Sequence, residues 1–438
     1  MRTPICDFVR KYADSDTLRL HMPGHKGEPL TGFERLDLTE IDGADSLYEA
    51  EGIIAESEKN AGELFGADTF FSTEGSSLSI RAMLYLLMLH TGGRMRILAG
   101  RNAHKTFLSA AALLDLDVDW LYGGESYLAC AIDAESLERT LAAVHYDAVY
   151  ITAPDYLGNT ADIAAIADAC HRHGARLLVD NAHGAYLNFL PESRHPMALG
   201  ADICCDSAHK TLPALTGAAY LHLSRRLPAS FRENAKRAMA LFGSTSPSYL
   251  ILQSLDAVNG YLADGYSARL AEFAARMEQT RDFLRGRGFS LVGDEPLKLT
   301  VKTKSYGYTG TELAEILRSN AIECEFADPD HLVLMATPET GHAGLSRLET
   351  ALSAVERRAE IADAPPKLSR PARVMSIREA MLSPAETVPA CESAGRILAA
   401  ATVGCPPAVP IVVSGERIGT DAVECFVYFG IDSCVVIK

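Results

Sequence analysis

Short apolar runs recur along the first half of the chain, separated by longer stretches whose apolar residues follow helical spacing. The apolar runs predict strands at residues 96–99, 118–122, 148–152, 177–180, 201–205 and 218–223. The stretches with helical spacing predict helices at residues 102–114, 134–145 and 161–173. Strands separated by helices of about 10 to 15 residues indicate βαβ units. We therefore predict an α/β fold whose mostly parallel central sheet is flanked by helices.

The pattern changes near residue 290. Before it, helical spacing extends over residues 229–290. After it, short strands and helices alternate, with strands at 297–301, 323–326, 331–335 and 434–437 and helices at 311–320, 344–361 and 392–401. Residues 1–45 are predicted to be irregular. We predict an N-terminal arm and major domain at 1–290 and a smaller α+β C-terminal region at 291–438, with a linker near 362–372.

Composition narrows the class of protein. Of the 438 residues, 48% are hydrophobic and 22% are charged, which is typical of a soluble globular protein. This length is long for a single core and supports two domains. The formal net charge of -16 argues against nucleic acid as the main partner, because phosphate binding needs clustered Lys and Arg. It is compatible with a small cationic substrate.

Cysteine usage and the chain ends predict a cytoplasmic protein. The ten cysteines include no Cys-x-x-Cys pair, which favours a reducing compartment. The N-terminus lacks the apolar core of a signal peptide. The longest uncharged run, 397–414, is interrupted by Pro406, Pro407 and Pro410, so we predict no membrane span.

The candidate chemistry centres on Lys210, the one lysine in the small, mostly apolar stretch 202–217. His209 directly precedes it, and Ser207 lies three residues before it. Asp180 ends an apolar run thirty residues upstream. Because an apolar setting disfavours a charged amine, such a lysine can form a Schiff base with an aldehyde cofactor.

An amine, an acid at a strand end and a small hydroxyl are the parts needed to hold pyridoxal phosphate. Asp180 would keep the pyridine nitrogen protonated, which makes the ring an electron sink; the alternative is an Asp that caps a helix. His183 should lie close by and could support the ring or Asp180. Lys26 and Lys105 compete with Lys210, which we prefer because Ser207 and Asp180 sit at matching distances.

A phosphate site is predicted where Gly75, Ser76 and Ser77 precede apolar residues at helical spacing. Backbone amides at a helix N-terminus, with hydroxyls beside them, bind phosphate well. A plain serine N-cap is the alternative. His104 begins a helix after a strand, where an imidazole could stack on a cofactor ring or serve only as a cap.

These segments together resemble the motif series of the Orn/Lys/Arg decarboxylases, pyridoxal-phosphate enzymes of the aspartate-aminotransferase fold (fold type I). The similar segments are 21–27, 73–77, 102–105, 180–183, 207–216 and, in the tail, 406–416. The resemblance covers the chain from about residue 3 to its end. It implies decarboxylation of lysine, arginine or ornithine to a polyamine precursor.

The resemblance also implies a role for each matching residue. Lys210 would carry the cofactor, Asp180 would pair with the pyridine nitrogen, and His104 would stack on the ring. Ala182 and His183 would lie beside the cofactor. Gly75, Ser76, Ser77 and Ser207 would hold the phosphate, and His209 would act as a phosphate or proton-transfer partner. The family's active sites lie at a homodimer interface, so both subunits would contribute.

Two departures leave the substrate open. Larger members usually carry an aromatic residue where His183 stands and Gln where Gly217 stands. These larger members also begin with an extra receiver-like domain.

Three alternative functions also stay open. One is another fold-type-I reaction such as transamination, with Arg370 or Arg373 gripping the α-carboxylate. The others are a non-catalytic pyridoxal-phosphate-binding protein and a metal enzyme built on His21, His25 and His183; we predict no metal.

Overall fold

A computed structural model describes residues 1–123, 131–404 and 410–438. The chain forms two compact units, each built from two separate segments. The first unit comprises Met1–Gly93 and Ile163–Arg269, and the second comprises Arg94–Asp162 and Leu270–Lys438. The domain boundaries proposed above, at residue 290 and at the linker near 362–372, stay predictions. Residues 406–409 of the tail motif lie outside the described residues.

Helices and strands alternate along most of the chain. The helices are α1 Pro4–Ala13, α2 Ile53–Phe65, α3 Gly75–Thr91, α4 Lys105–Leu114, α5 Ala134–Ala143, α6 Ile163–Arg172, α7 Ala208–Thr211, α8 Ala229–Ala240, α9 Tyr249–Ala263, α10 Tyr266–Gly286, α11 Gly310–Ser319, α12 Gly341–Ser353, α13 Ile377–Leu382 and α14 Thr420–Tyr428. The strands are β1 Asp68–Ser72, β2 Arg96–Gly100, β3 Asp117–Leu121, β4 Ala148–Thr152, β5 Arg176–Asp180, β6 Ile203–Asp206, β7 Ala219–Leu223, β8 Ser290–Val292, β9 Lys298–Lys302, β10 Phe326–Ala327, β11 His331–Met335, β12 Ala385–Pro389, β13 Thr402–Gly404, β14 Pro410–Val413 and β15 Ser433–Ile437.

In the first unit the strands follow the order β1-β7-β6-β5. Strands β5 and β6 are parallel, with Asp180 opposite Cys205. Strand β7 runs antiparallel to both β6 and β1. The carboxyl ends of β5 and β6 therefore lie side by side at one edge of this sheet.

In the second unit β2 lies between β4 and β3 and is parallel to both. A separate antiparallel sheet follows the order β10-β11-β9-β8, and the last part of the chain adds the pairs β12/β15 and β13/β14. Parallel strands flanked by helices, followed by small antiparallel sheets, confirm the predicted α/β fold class with a smaller C-terminal α+β part.

The prediction that residues 1–45 are irregular is wrong at its start, where α1 forms an amphipathic helix. Pro4 occupies the first helical position, which tolerates the missing amide hydrogen. Ile5 and Val9 are fully buried, and the Cys6 amide donates to Asp256 Oδ2 over 2.9 Å. The helical spacing of these apolar residues is the signal that could have found the helix.

The predicted helix at 392–401 is also wrong. Gly395 has φ +80°, a conformation that ends a helix, and only a 3-10 turn, Ala390–Glu392, forms nearby. Leu398 instead bridges Val436 in an antiparallel arrangement and is fully buried.

Among the helices that the structure describes, none combines the length and the apolar character needed to cross a lipid bilayer.

Candidate active site

The candidate site in the first unit forms where two neighbouring parallel strands end. Asp180 is the last residue of β5, and β6 ends at Asp206. Ser207 follows directly, and the short helix α7 then carries His209 and Lys210. Ligands of open α/β sheets bind outside the carboxyl ends of the strands. The structure thus brings Asp180 and Lys210 to the same edge of the sheet.

Lys210 is hydrogen-bonded to a histidine that the sequence placed near Asp180. The Lys210 Nζ lies 3.0 Å from His183 Nε2. Because an ammonium group can only donate, Nε2 accepts and the proton of the neutral imidazole lies on Nδ1. His183 is buried, and Lys210 is half-buried. The pair therefore combines a partly desolvated amine with a group that can accept its proton.

Asp180 is a buried carboxylate, with only 2% of its surface exposed. Its Oδ1 accepts the Ala182 amide over 3.2 Å and the Cys205 thiol over 3.6 Å. Burial raises the pKa of Cys205 well above its usual range, so this thiol keeps its proton and can donate it. The bond from Ala182 fixes the turn that leads to His183.

The predicted phosphate residues meet at the start of α3. Ser207 Oγ donates to Ser76 Oγ over 2.9 Å, and the Gly75 amide donates to the Gly217 carbonyl over 2.7 Å. No side chain of the N-cap residue closes this helix, and Ser77 lies in its first turn. A Cβ added at Gly75 would meet nothing within 4 Å. The Gly75 amide is thus already engaged, and an anion could approach the amides and hydroxyls of Ser76 and Ser77 that follow it.

His209 is oriented by the main chain that follows the site. Its Nδ1 donates to the Ala218 carbonyl over 2.9 Å, because a carbonyl oxygen can only accept. The other nitrogen, Nε2, is thus the one that can take up or release a proton.

His104 belongs to the second unit. It is the N-cap of α4, and its Nδ1 accepts the Thr106 amide over 3.3 Å. Its role in stacking on a cofactor ring stays a prediction.

The donors in the first unit fit pyridoxal phosphate. An amine, a buried carboxylate and an uncapped helix start with two hydroxyls match the aldehyde, the ring nitrogen and the phosphate of that cofactor. Within the first unit, the residues that could hold it are Lys210, Asp180, Ser76, Ser77, Ser207, Gly75, Ala182 and His183.

Sequence reasoning missed a polar cluster behind the site. Asp206, His195 and His222 are all fully buried, and their ligand-type atoms lie within 4.8 Å of one another. Asp206 directly precedes Ser207, which is the signal that could have drawn attention to it. His195 and His222 are too distant in sequence to be paired with it by spacing.

The three histidines of the metal alternative have separate partners. His21 Nε2 lies 2.6 Å from the Tyr12 hydroxyl, and His25 Nε2 lies 3.3 Å from Asp37 Oδ2. His183 contacts Lys210, as described above. Nothing in their described contacts gathers the three around a common ion.

Comparison with known proteins points to one family. The model of the Orn/Lys/Arg decarboxylase major domain matches residues 3–286, and the model of that family's C-terminal domain matches residues 362–433.

Curated relatives and a solved structure agree with this match. The chain is 30% identical to an arginine decarboxylase of Bacillus subtilis, over 98% of this chain and 94% of that protein. It is 31% identical to an arginine decarboxylase of Halalkalibacterium halodurans, over 95% and 91% of the two chains. The lysine decarboxylase of Francisella novicida superposes with a TM-score of 0.80 at 16% identity, covering 100% of this chain and 81% of that one. At that identity the likeness shows the fold alone, which is the predicted fold type I.

Proposed function

Because the chain belongs to the Orn/Lys/Arg decarboxylase family, we propose that it removes the α-carboxylate of a basic amino acid with the help of pyridoxal phosphate. Arginine is the first candidate substrate, since relatives at about 30% identity are named arginine decarboxylases. The product would be the corresponding amine, agmatine for arginine, which is a polyamine precursor. The acidic chain, with net charge -16, is compatible with a cationic substrate.

One observation carries the proposal. Within a single unit, the Lys210–His183 pair, the buried carboxylate of Asp180 and the Ser76–Ser207 pair at the start of α3 converge at neighbouring strand ends. In that order, these groups match the reactive carbon, the ring nitrogen and the phosphate of the cofactor.

When bound, pyridoxal phosphate supplies an aldehyde carbon that couples to amines and a ring that accepts the electrons left behind when carbon dioxide departs. The chain's residues prepare and guide this chemistry. His183 Nε2 can accept a proton from the Lys210 ammonium, which leaves Lys210 Nζ with the lone pair that attack on an aldehyde requires. Asp180, as an anion beside the ring nitrogen, would favour its protonated form.

Protonation of the substrate carbon needs a donor near Lys210. His209 is a candidate, because the Ala218 carbonyl fixes its Nδ1 proton and leaves Nε2 for exchange. Lys210 is the other, because its amine could carry a proton whenever it does not hold the cofactor. Ser76, Ser77 and Ser207 would hold the phosphate through their hydroxyls, and the first amides of α3 would add their partial positive charge.

Transamination requires an arginine that grips the α-carboxylate. Arg373 is engaged elsewhere, since it donates to the Val118 carbonyl over 3.0 Å and to Asp117 Oδ1 over 3.1 Å, at the start of β3. Ligands of parallel sheets bind at the opposite ends of the strands. Arg370 lies over the ring of Tyr122, 4.6 Å from its centroid. The position of Arg373 therefore gives no support for a role in binding the α-carboxylate during transamination.

We also propose that the working form is a homodimer. Five large apolar residues of the segment 18–33 are more than 60% exposed, namely Leu18, Leu20, Met22, Leu30 and Phe33. Apolar surface of this extent in one segment is typical of a protein interface. A second copy of the chain is the occupant that agrees with the family resemblance.

The activity is tested by incubating purified protein and pyridoxal phosphate with arginine, lysine and ornithine. We expect release of carbon dioxide and the matching amine, fastest for arginine, without a keto acid. Keto-acid formation without carbon dioxide would contradict the proposal.

The role of Lys210 is tested by reducing the loaded protein with borohydride, which fixes the cofactor to its lysine, and mapping the labelled peptide. We expect label on Lys210 and none on Lys26 or Lys105. Lys210→Ala should lose the label and at least about 1,000-fold in activity. Lys59→Ala, a change at an exposed lysine, should keep both. Label on Lys26 or Lys105 in the wild type would refute the assignment.

A further inference from the structure

Asp206 stands at the centre of a buried hydrogen-bond network behind the site. Its Oδ2 accepts from His195 Nε2 over 2.9 Å and from His222 Nε2 over 3.1 Å. Its Oδ1 accepts from Asn181 Nδ2 over 2.7 Å, and the Cys204 thiol lies 3.7 Å away. All five residues are fully buried. A buried charge is tolerated only where several donors satisfy it, as they do here.

The far sides of the two imidazoles fix where their protons lie. The Met197 amide donates to His195 Nδ1 over 3.3 Å, so the proton of neutral His195 is on Nε2, facing Asp206. His222 Nδ1 lies 2.9 Å from the Thr69 hydroxyl, which can donate to it in the same way. Both rings then donate to the carboxylate.

This proton arrangement favours a hydrogen-bond network over a metal site. A metal ion would need the Nε2 lone pairs, and His195 would then have to place its proton on Nδ1, against the Met197 amide. Burial lowers the pKa of His222, which keeps that ring neutral. Burial alone would raise the pKa of Asp206, but His195 and His222 lower it below its ordinary value. Asp206 is therefore an anion held by several hydrogen-bond donors.

The network joins the two chain segments that carry the candidate catalytic groups. Asn181 directly follows Asp180 and lies two residues before His183, while Asp206 directly precedes Ser207 and lies four residues before Lys210. The Asn181 amide also donates to the Cys205 carbonyl over 3.0 Å. The bond between the Asn181 and Asp206 side chains is thus a direct side-chain tie between the Asp180 turn and the Lys210 turn.

We propose that Asp206, held by His195 and His222, is a positioning residue that fixes the Lys210 turn against the Asp180 turn through Asn181. It acts through these neighbours and not on the substrate. Its loss would let the amine and the carboxylate that hold the two ends of the cofactor move relative to each other. The inference rests on the proposed use of pyridoxal phosphate. The first experiment below uses the cofactor-free protein, so its result does not depend on that proposal.

Asp202 provides a matched control at the other end of the same strand. It directly precedes β6, is 4% exposed and, like Asp206, accepts from a histidine, with His171 Nε2 2.9 Å from its Oδ2. It also accepts the Leu177 amide over 2.9 Å. Asp202→Asn removes a buried carboxylate of the same kind at the end of the strand away from Lys210.

The first experiment measures hydrogen–deuterium exchange of the cofactor-free protein for wild type, Asp206→Asn and Asp202→Asn. We expect Asp206→Asn to raise exchange at least about tenfold in peptides covering 181–184 and 208–212, since buried amides exchange through local opening. Asp202→Asn should raise exchange near 171–177 and leave exchange in the peptides covering 181–184 and 208–212 unchanged. Equal exchange in both variants at the site peptides would overturn the proposal.

The second experiment measures the dissociation constant for pyridoxal phosphate by absorbance, alongside the melting temperature of the cofactor-free form. We expect Asp206→Asn to weaken cofactor binding at least about tenfold, and Asp202→Asn to leave it unchanged at a similar loss of melting temperature. Weakening that only follows the loss of stability in both variants would assign Asp206 a purely structural role.

A third variant keeps the proposal falsifiable if Asp206→Asn does not fold. Asn181→Ala removes only the tie and leaves the Asp206–histidine bonds in place, so its effect on exchange and on cofactor binding should go in the same direction but be smaller. Unchanged exchange at 181–184 in this variant would refute the tie. If the wild type bound no pyridoxal phosphate, the proposed function would fall, whereas the exchange result would still report on the tie.

Discussion

Single residues of the site were predictable where their chemistry is rare in their surroundings. Lys210 stood out because it is charged within a small, apolar stretch, and Asp180 because it ends an apolar run. The structure adds what spacing cannot give, namely that Lys210 contacts His183 directly. The turn at Asn181 and Ala182 produces that contact, and a turn's side-chain directions are not encoded in a periodicity.

The burial of His222 predicts how the stability of the protein depends on pH. Burial lowers its folded-state pKa below 6.5, the value expected in the unfolded chain. The unfolded chain then binds the proton more readily, so stability is full above about pH 6.5 and falls as the pH drops below it, by up to about 1.4 kcal/mol per pH unit. Urea unfolding of wild type and His222→Gln between pH 7.5 and 5.5 measures this, and the variant should lose part of the slope.

The control for this prediction is His342→Gln. His342 is exposed and lies 3.5 Å from Glu272, so its replacement should leave the pH slope unchanged. An unchanged slope in His222→Gln would show that the acid sensitivity arises elsewhere in the chain.

At the scale of elements, strong periodicity located most helices and strands within a few residues. Strand β4 was predicted at its observed bounds, and α4 began three residues later than predicted because His104 caps it. The errors have local causes. Helix α1 was missed although its apolar spacing is helical, and the helix at 392–401 fails at Gly395, where tertiary packing of Leu398 prevails over propensity.

The direction of individual strands could not be predicted from the sequence pattern. The pattern predicted a mostly parallel sheet, but β7 runs antiparallel to β6 and β1. Apolar runs are alike in both directions, so periodicity alone cannot tell them apart.

The turn before β7 gives an element-scale prediction. Gly217 has φ +98°, its carbonyl accepts the Gly75 amide, and an added Cβ would lie 3.0 Å from the Thr73 carbonyl oxygen. We expect Gly217→Ala to cost about 1 to 3 kcal/mol of unfolding free energy. Because the turn also holds the start of α3, the affinity for pyridoxal phosphate should fall about tenfold. Chemical denaturation and a cofactor titration measure the two effects.

Gly92→Ala separates the strain of the backbone from the close contact. Gly92 has φ +74°, but its added Cβ would meet nothing within 4 Å. This control should lose about 1 kcal/mol and keep its affinity for the cofactor. If both variants lost the same stability and neither lost affinity, the close contact with the Thr73 carbonyl would have no effect on stability or on cofactor binding. The result bears on the family departure at this position, since a Gln at 217 would have to displace the same carbonyl.

At the scale of the whole molecule, composition says little about the reaction. The net charge of -16 and the length of 438 residues fit an enzyme with a small cationic substrate, but they fit many other proteins as well. The substrate side of the site cannot be read from one sequence, because binding pockets are assembled from residues that are distant along the chain and, in a dimer, on a second chain. The family resemblance came from the motif series, and the matching family models then confirmed the family.

The exposed apolar segment 18–33 makes the whole-molecule prediction. Leu20 is 84% exposed and Leu30 is 89% exposed, and burying a leucine side chain is worth about 1.5 to 3 kcal/mol. Placing Asp at both positions removes this gain and adds two charges that an apolar interface cannot solvate. In sedimentation at micromolar concentration, the wild type should have twice the 47.2 kDa mass of the chain, and Leu20→Asp/Leu30→Asp should have the mass of one chain. Val427→Asp, a change at a residue that is 66% exposed in the second unit, should leave the mass of the dimer unchanged. A wild type that sediments as one chain, or a double variant that keeps the wild-type mass, would show that this segment does not bind a second copy.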